Sequence, residues 1–236
     1  MNGRGVLRYG ERKILFDVLH TPRKTMEIAV HPDTRVVIKV PYGTHLEDIE
    51  AKARKRSRWI TKQINYFEQF QPHTPPRQYI SGETHLYLGR QYRLKVIQEY
   101  ENNVRLSRGR LLVSLVEDTS PDKVRACLEE WYRARGKEKY QASLDRCFVN
   151  FTRMDFEQPA IKIRKMVSRW GSLSHNGLLT LNLSLIRAPR ACIDYVITHE
   201  LCHMEYHNHS SGFYKLLERV MPDWEKRKHR LELALV

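Results

Sequence analysis

Apolar and polar residues alternate over residues 26–30 and, less regularly, over residues 35–40. A short polar stretch that contains Pro32 and Asp33 separates the two segments. Because alternation with a period of two is typical of half-buried strands, the pattern predicts a β-hairpin near the start of the chain.

A helix should follow, since Thr44 and Glu47 have the spacing of a capping box. We predict that it runs to about Phe70, with apolar residues recurring at helical spacing on one face. The other face carries five cations, namely Lys52, Arg54, Lys55, Arg56 and Arg58. Such a run predicts a solvated helix face or a contact with phosphates, and we prefer the solvated face.

Residues 71–76, with three prolines, have the composition of a linker. Beyond them, residues 84–98 and 103–116 predict strands broken by turns. A serine–proline pair then provides a cap and a first-turn proline, which predicts a helix over residues 121–148. The sequence contains no evident internal repeat.

A second hairpin signal lies in the second half of the chain. Residues 161–169 are strand-like, Asn176-Gly177 favours a tight turn with positive φ, and leucines alternate with polar residues over 179–185. Two helices should follow, one through residues 193–204 and one that ends near Pro222.

These elements predict an α+β protein in two parts. The first part is a β-rich N-terminal region with one inserted helix over residues 1–118, and the second is a helix-containing domain over residues 119–236.

Composition narrows the class of protein. With 41% hydrophobic residues in a chain of 236, a folded core is expected. No apolar run approaches the ~20 residues of a membrane span. No apolar signal region begins the sequence, and the four cysteines lack CxxC spacing. We therefore expect a cytoplasmic protein with free thiols and no membrane association.

The net charge of +14 is spread over both halves of the chain. Such a field favours anionic partners, namely nucleic acid, nucleotides or acidic proteins, and a generally basic soluble surface explains the charge equally well. Net charge affects which partners a protein binds and does not identify a reaction, so the candidate chemistry depends on particular residues.

The candidate chemistry lies in the segment His199-Glu200-Leu201-Cys202-His203. Histidines four residues apart project from one helix face and can share one Zn²⁺ ion. Glu200 adjoins the first histidine, where its carboxylate can act as general base toward a water whose pKa zinc lowers to ~7. A catalytic zinc site needs a third protein ligand and leaves one position for water.

Three downstream residues are candidates for the third ligand, namely Glu205, His207 and His209. His209 is preferred because its offset of six residues from His203 equals the spacing in HExxHxxGxxH sites. Tyr206 occupies the glycine position of that pattern, so we expect Asn208 to provide the turn. His207 is the main competitor, and it is otherwise a group that orients a ligand or donates a hydrogen bond in the transition state.

Two neighbouring features have competing interpretations. The HExxH segment can occur by chance on an amphipathic helix, but the helical context and the third histidine favour a metal site. Cys202 points off the histidine face, so we expect a small buried residue and not a ligand. Trp170-Gly171-Ser172 is either a functional loop beside the site or a strand end with a packed tryptophan.

These motifs resemble the YgjP-like metal-dependent hydrolases, also called domain of unknown function 45, which are related to the SprT-like and other zincin metallopeptidases. The second half carries most of the resemblance, in Arg169-Trp170-Gly171-Ser172, Leu181-Asn182, residues 194–203, Asn208-His209-Ser210, Phe213 and Pro222-Asp223. The first half adds Val40-Pro41, Trp59-Ile60 and Tyr87-Leu88-Gly89. The resemblance implies a β-rich N-terminal region followed by a minimal zincin-like metallopeptidase domain with an HExxH helix.

Position by position, the resemblance implies three metal ligands and one catalytic glutamate, namely His199, His203, His209 and Glu200. Leu173, where such proteins often have cysteine, and Tyr214, where they often have tryptophan, depart from the pattern. Neither departure involves an expected ligand.

We therefore expect a zinc-dependent hydrolase with one Zn²⁺ per chain, and a metallopeptidase that pairs an extended peptide with an edge strand is the first choice. The strand of residues 178–185 is the candidate edge. The main alternative is a nucleoside triphosphate pyrophosphohydrolase at the same metal site, with Lys162, Arg164 and Arg169 as phosphate clamps. A third interpretation is a DNA-associated binding protein with weak or no turnover. The sequence leaves the substrate and the oligomeric state open.

Overall fold

A computed structural model describes residues 3–31, 33–68, 77–154, 156–167 and 169–235. The chain forms two compact units, Met1–Pro75 and Pro76–Leu235. Strands dominate the first part of the chain and helices the last, so the predicted α+β class with a β-rich N-terminal region is confirmed.

The division between the units differs from the predicted boundary at residue 118. The strands before that boundary share a hydrophobic core with the long helix after it, because Leu111 and Val113 belong to the same buried cluster as Val124 and Leu128. Burial against this helix therefore assigns the strands to the second unit. The linker-like residues 71–76 lie outside the described residues.

The first unit contains a four-stranded sheet in the order β1-β2-β4-β3. Its strands are β1 (Gly3–Tyr9), β2 (Arg12–Thr21), β3 (Glu27–Val30) and β4 (Val36–Pro41). The β1–β2 and β3–β4 pairs are antiparallel, and β2–β4 is parallel. The predicted hairpin is confirmed as β3–β4, whereas β1 and β2 were not predicted from the residue pattern.

Two helices cover this sheet, α1 (Leu46–Lys55) and α2 (Ser57–Glu68). The prediction of one continuous helix is wrong, because the first helix ends at Arg56. The capping box is also absent, since the Thr44 hydroxyl donates to the Pro41 carbonyl at 2.9 Å and does not cap the helix. One face of the helix pair packs into the core through Ile49, Ala53, Ile60 and Ile64.

The second unit begins with a sheet in the order β5-β6-β8-β7. Its strands are β5 (Thr84–Tyr87), β6 (Arg90–Gln98), β7 (Asn103–Ser107) and β8 (Arg110–Leu115). Two antiparallel hairpins are joined by the parallel β6–β8 pair. This topology repeats that of the first unit, although the sequence shows no evident repeat, since different side chains can satisfy the same backbone pairing.

The long helix α3 (Pro121–Phe148) follows as predicted. After it comes a three-stranded sheet in the order β10-β11-β9, with β9 (Ala160–Arg164), β10 (Gly171–Leu173) and β11 (Leu178–Asn182). The predicted hairpin partner of β11 is wrong, because β10 pairs with β11 across the turn and β9 runs parallel to it.

The strand β11 is also shorter than predicted. It ends at Asn182, whose side-chain oxygen accepts a hydrogen bond from the Ser184 backbone at 3.0 Å. Residues 183–187 consequently form a 3₁₀ turn.

Three helices complete the unit, α4 (Arg190–Cys202), α5 (Ser211–Val220) and α6 (Trp224–Leu235). The first two were predicted, and α6 was not. Among the described helices, none is both long enough and apolar enough to cross a membrane. The four cysteines form no disulfide.

Candidate metal centre

The helix α4 is anchored to α3 by polar contacts as well as by burial. Asp194 accepts hydrogen bonds from the Ser143 hydroxyl and, at 2.8 Å, from the Arg146 guanidinium. Ile193, Ile197 and Leu201 are almost fully buried in the core of the unit. The last turn of α4, which carries the HExxH segment, is therefore held in place by the rest of the helix.

Three histidine side chains meet at the end of this helix. His199, His203 and His209 each place a ring nitrogen within 4.8 Å of the other two. The Nε2 atoms of His199 and His209 are 3.0 Å apart. The ring of Phe213 packs against all three imidazoles, with centroid separations of 4.7–4.9 Å. An apolar wall therefore holds the three rings in convergent orientations.

Tyr206 organises the chain reversal that returns His209 to the helix. Its carbonyl oxygen lies 2.8 Å from Nδ1 of His203, which donates to it and leaves Nε2 of that ring with a free lone pair. Its ring packs over Gly212, where a β-carbon would lie only 2.6 Å from Cε1. Asn208 lies in the bend before His209 as expected, but it does not adopt the left-handed conformation.

The protonation of the histidines suits metal binding. Burial, followed by the charges of His209 and His203, lowers the pKa of His199 to about 3. Burial also lowers the pKa of His209. Both rings are therefore neutral near pH 7 and present lone pairs.

The donor set fits a divalent metal ion. The three histidines each offer a ring nitrogen within 4.8 Å of the others, and Nε2 of His199 faces Nε2 of His209 at 3.0 Å. Three imidazoles with one open position are the ligands of a catalytic zinc site, and imidazole also suits neighbouring transition metals.

Glu200 lies beside the histidines with only 8% of its surface exposed. Its carboxylate accepts a hydrogen bond from the Leu173 backbone and lies within the field of Arg169. Burial outweighs both effects and raises the pKa of Glu200 to about 7. A carboxyl group with such a pKa can both accept and release a proton near neutral pH.

The pairing of β10 explains why the Leu173 N–H is available to Glu200. The Trp170 carbonyl accepts a hydrogen bond from the Asn182 N–H at 2.9 Å, and the Ser174 N–H donates to the Leu178 carbonyl at 3.1 Å. Alternation along an antiparallel strand then turns the N–H of Leu173 away from β11 and toward α4. One backbone donor thus orients the buried carboxylate.

An open cleft of about 580 Å³ gives access to these groups. Its walls come from the three histidines, Glu200, the β10–β11 hairpin with its turn, and the α4–α5 connection. The cleft-lining residues outside the triad include Phe156, Arg169, Gly171, Ser172, His175, Met204 and His207. The site is therefore open enough for an extended substrate.

The other predicted candidates lie elsewhere. His207 does not join the triad, and its ring packs against that of His175 at 5.1 Å on the cleft wall. Glu205 is exposed and also lies outside the cluster. Cys202 is fully buried as predicted, and burial raises the pKa of its thiol to about 12.

Both interpretations of Trp170-Gly171-Ser172 apply in part, because Trp170 packs against the core while Gly171 and Ser172 line the cleft. Of the three predicted phosphate clamps, Arg169 lines the cleft, and Lys162 and Arg164 do not. Sequence reasoning missed the roles of the Leu173 backbone and of His175. Only the Asn-Gly turn signal pointed to that hairpin, and it carries no information about the helix against which the hairpin packs.

A family model for the YgjP-like metallopeptidase domain matches residues 24–234. The chain belongs to this family. At the level of the family it is a metal-dependent peptidase, and this activity implies a catalytic metal ion. The resemblance inferred from the sequence motifs is thereby confirmed.

Two solved structures show more distant similarity. The metallopeptidase zymogen abylysin of Pyrococcus abyssi is 22% identical, with a TM-score of 0.34, and the match covers 39% of this chain and 87% of abylysin. The zymogen jannalysin of Methanocaldococcus jannaschii is 19% identical, also with a TM-score of 0.34, and the match covers 38% of this chain and 84% of jannalysin. No curated protein matches the chain.

Proposed function

We propose that this member of the YgjP-like family is a zincin-type peptidase, in which His199, His203 and His209 hold one zinc ion and Glu200 is the general base. The observation that carries the proposal is the convergence of three imidazole nitrogens within 4.8 Å, in the same cleft as a buried glutamate. A bound zinc ion would supply Lewis acidity toward the scissile carbonyl and lower the pKa of a water to ~7.

The histidines contribute by presenting lone pairs in a fixed arrangement. The His203 Nδ1–Tyr206 hydrogen bond sets the tautomer of one ring, and packing against Phe213 limits the rotation of all three. Such support around metal ligands raises metal affinity and holds the coordination geometry.

Glu200 contributes by moving protons. Its carboxylate can accept a proton from the attacking water and return it to the leaving amine, because its pKa of about 7 lies close to a neutral working pH. The Leu173 N–H and Arg169 both favour the charged form that is needed to begin the reaction.

The substrate would lie along β10. The predicted edge strand β11 is wrong, because β11 lies between β10 and β9, whereas β10 is an edge of its sheet. Since β10 also lines the cleft next to Glu200, an extended peptide that pairs with backbone groups of β10 other than the Leu173 N–H would bring its own backbone to the catalytic groups.

The test is turnover by purified, zinc-loaded protein on unfolded proteins and on nucleoside triphosphates. Glu200→Gln should retain stoichiometric zinc and lose peptidase activity by a factor on the order of 10³ or more. Glu205→Gln is the matched control, because it removes the same charge from an exposed residue in the same segment. This control should keep its activity.

Each other outcome has a defined meaning. Peptide cleavage that survives in Glu200→Gln contradicts the general-base role. Glu200-dependent release of pyrophosphate without peptide cleavage replaces the substrate class with nucleotides. Salt-dependent binding of DNA with no metal-dependent turnover supports a binding protein and contradicts the proposal.

A further inference from the structure

The N-terminal unit contains a second large cavity, which the proposed peptidase chemistry does not use. It is a groove of about 520 Å³ lined by Met26, Ile28, Lys52, Lys55, Arg56 and Trp59. All six residues belong to the first compact unit, and the metal centre belongs to the second.

The sequence builds one wall of the groove from a single side of α1 and α2. Lys52 and Lys55 are one turn apart on α1, Arg56 lies at the break between the helices, and Trp59 lies in the first turn of α2. Three cations and one indole ring thus line the same groove from two consecutive helices.

The other wall comes from the edge strand β3 and the residue before it. Met26 and Ile28 lie on the same side by alternation, and both are half-buried against the core of the unit. They provide an apolar surface opposite the cations. Glu27, between them in sequence, is already paired with Arg23 at 2.7 Å and with Lys39 at 3.9 Å.

The charge of the groove is uncompensated. Lys52, Lys55 and Arg56 are exposed, and none of them forms an ion pair with a described residue. Like charges held this close repel one another, so an anionic ligand that bridges them gains free energy on binding. Three cations that line one groove match a ligand with several anionic groups better than a ligand with a single charge.

Trp59 indicates what else the ligand contains. The side chain is 40% exposed at the edge of a cationic groove, where it offers a flat aromatic face beside the charges. Proteins bind single-stranded nucleic acids in grooves where cations contact the phosphate backbone and exposed aromatic rings stack on the bases. The protein's net charge of +14 favours the same class of partner.

We propose that this groove binds single-stranded nucleic acid, with a base stacked on Trp59 and phosphates contacted by Lys52, Lys55 and Arg56. An acidic peptide could pair with the cations but would leave the indole face without a planar partner. The groove therefore recruits the chain to nucleic acid independently of the metal centre.

The experiment measures fluorescence anisotropy of a labelled oligothymidylate of about 16 nucleotides titrated with the full chain in chelator, so that no turnover contributes. The double variant Lys52→Glu/Lys55→Glu should weaken binding at least tenfold and reduce the dependence on salt. Trp59→Ala should weaken binding about fivefold or more with an unchanged salt dependence, and Trp59→Phe should retain most of the affinity.

Arg54→Glu/Arg58→Glu is the matched control, because it reverses two charges on the same helices at exposed positions that do not line the groove. A control that weakens binding as much as the groove variant would overturn the proposal in favour of a diffuse basic surface. Tighter binding to polyglutamate, to anionic phospholipid vesicles or to duplex DNA than to the oligothymidylate would also overturn it. Because metal is excluded, failure here leaves the peptidase proposal unaffected.

Discussion

A β-carbon on Gly171 would lie 2.9 Å from Cγ of Glu200 and 3.0 Å from its Oε1. The edge strand β10 thus approaches the HExxH helix so closely that only a residue without a side chain fits at this position. This contact fixes where the buried carboxylate can lie, and the Leu173 N–H two residues later fixes how it is oriented.

We predict that Gly171→Ala lowers kcat/KM of the peptidase by a factor on the order of 10² while zinc content stays the same, because the new methyl group displaces Glu200 by a few tenths of an ångström or more. The measurement is turnover together with bound metal. Gly3→Ala is the control, since a β-carbon there meets nothing within 4 Å. Unchanged turnover in Gly171→Ala would show that Glu200 tolerates the shift.

Removal of a metal ligand should separate the two candidate histidines. His209→Ala should weaken zinc binding by at least 100-fold, because one of three protein donors is lost, and His207→Ala should change it less than fivefold. Competition with a chromogenic chelator measures both affinities. The reverse order would assign the third ligand to His207 and exclude the geometry described above.

Asn182 connects the strand that supports the site with the loop that precedes β10. Its side-chain amide donates to the carbonyls of Met166 at 2.8 Å and Arg169 at 3.0 Å, and the residue is only 4% exposed. We predict that Asn182→Ala destabilises the fold by about 3 kcal/mol, because buried polar groups lose their partners. Urea denaturation measures the difference.

The control for this variant is Asn102→Ala, which removes an exposed side-chain hydrogen bond to the Val116 backbone. This variant should lower the free energy of unfolding by about 1 kcal/mol or less. Equal losses in the two variants would mean that burial at Asn182 contributes nothing.

The raised pKa of Glu232 predicts that the stability of the fold depends on pH. Burial raises its pKa from the usual 4.5 to about 7, so the folded state binds a proton that the unfolded state has released between those values. The folded state is therefore favoured by this group at low pH, and the benefit is lost as pH rises from about 4.5 through about 7.

Glu232→Gln should accordingly be more stable than the parent protein at about pH 8, with a difference that shrinks toward about pH 5. Denaturant midpoints at the two pH values provide the measurement, with Glu225→Gln on the exposed side of the same helix as the comparison. A difference that stays constant with pH would contradict the raised pKa.

Local patterns were sufficient to predict several elements of this protein. The β3–β4 hairpin, the β5–β8 strands and α3 follow from alternation, turn residues and helix-start signals, all of which act over a few neighbouring residues. The spacing of His199, His203 and His209 likewise predicted a group of three histidines, because helix geometry links positions four apart and one turn can return the third.

Where the prediction failed, longer-range packing decided the outcome. The pairing of β11 with β9 as well as β10, and the placement of the β5–β8 sheet with α3, depend on contacts between residues far apart in sequence. Thr44 had the right spacing for a helix cap, but its hydroxyl bonds the Pro41 carbonyl instead.

By itself, then, the sequence determined the residue types of the candidate metal centre and the helix that carries two of them, because these depend on local spacing. Only the tertiary structure decided that Gly171 and Leu173 enclose Glu200, that the Tyr206 carbonyl orients His203, and that Met26 and Ile28 line one groove with the cations of α1. These relationships require the burial of surfaces from separate elements against one another, and no periodicity within a single element encodes which surfaces will meet.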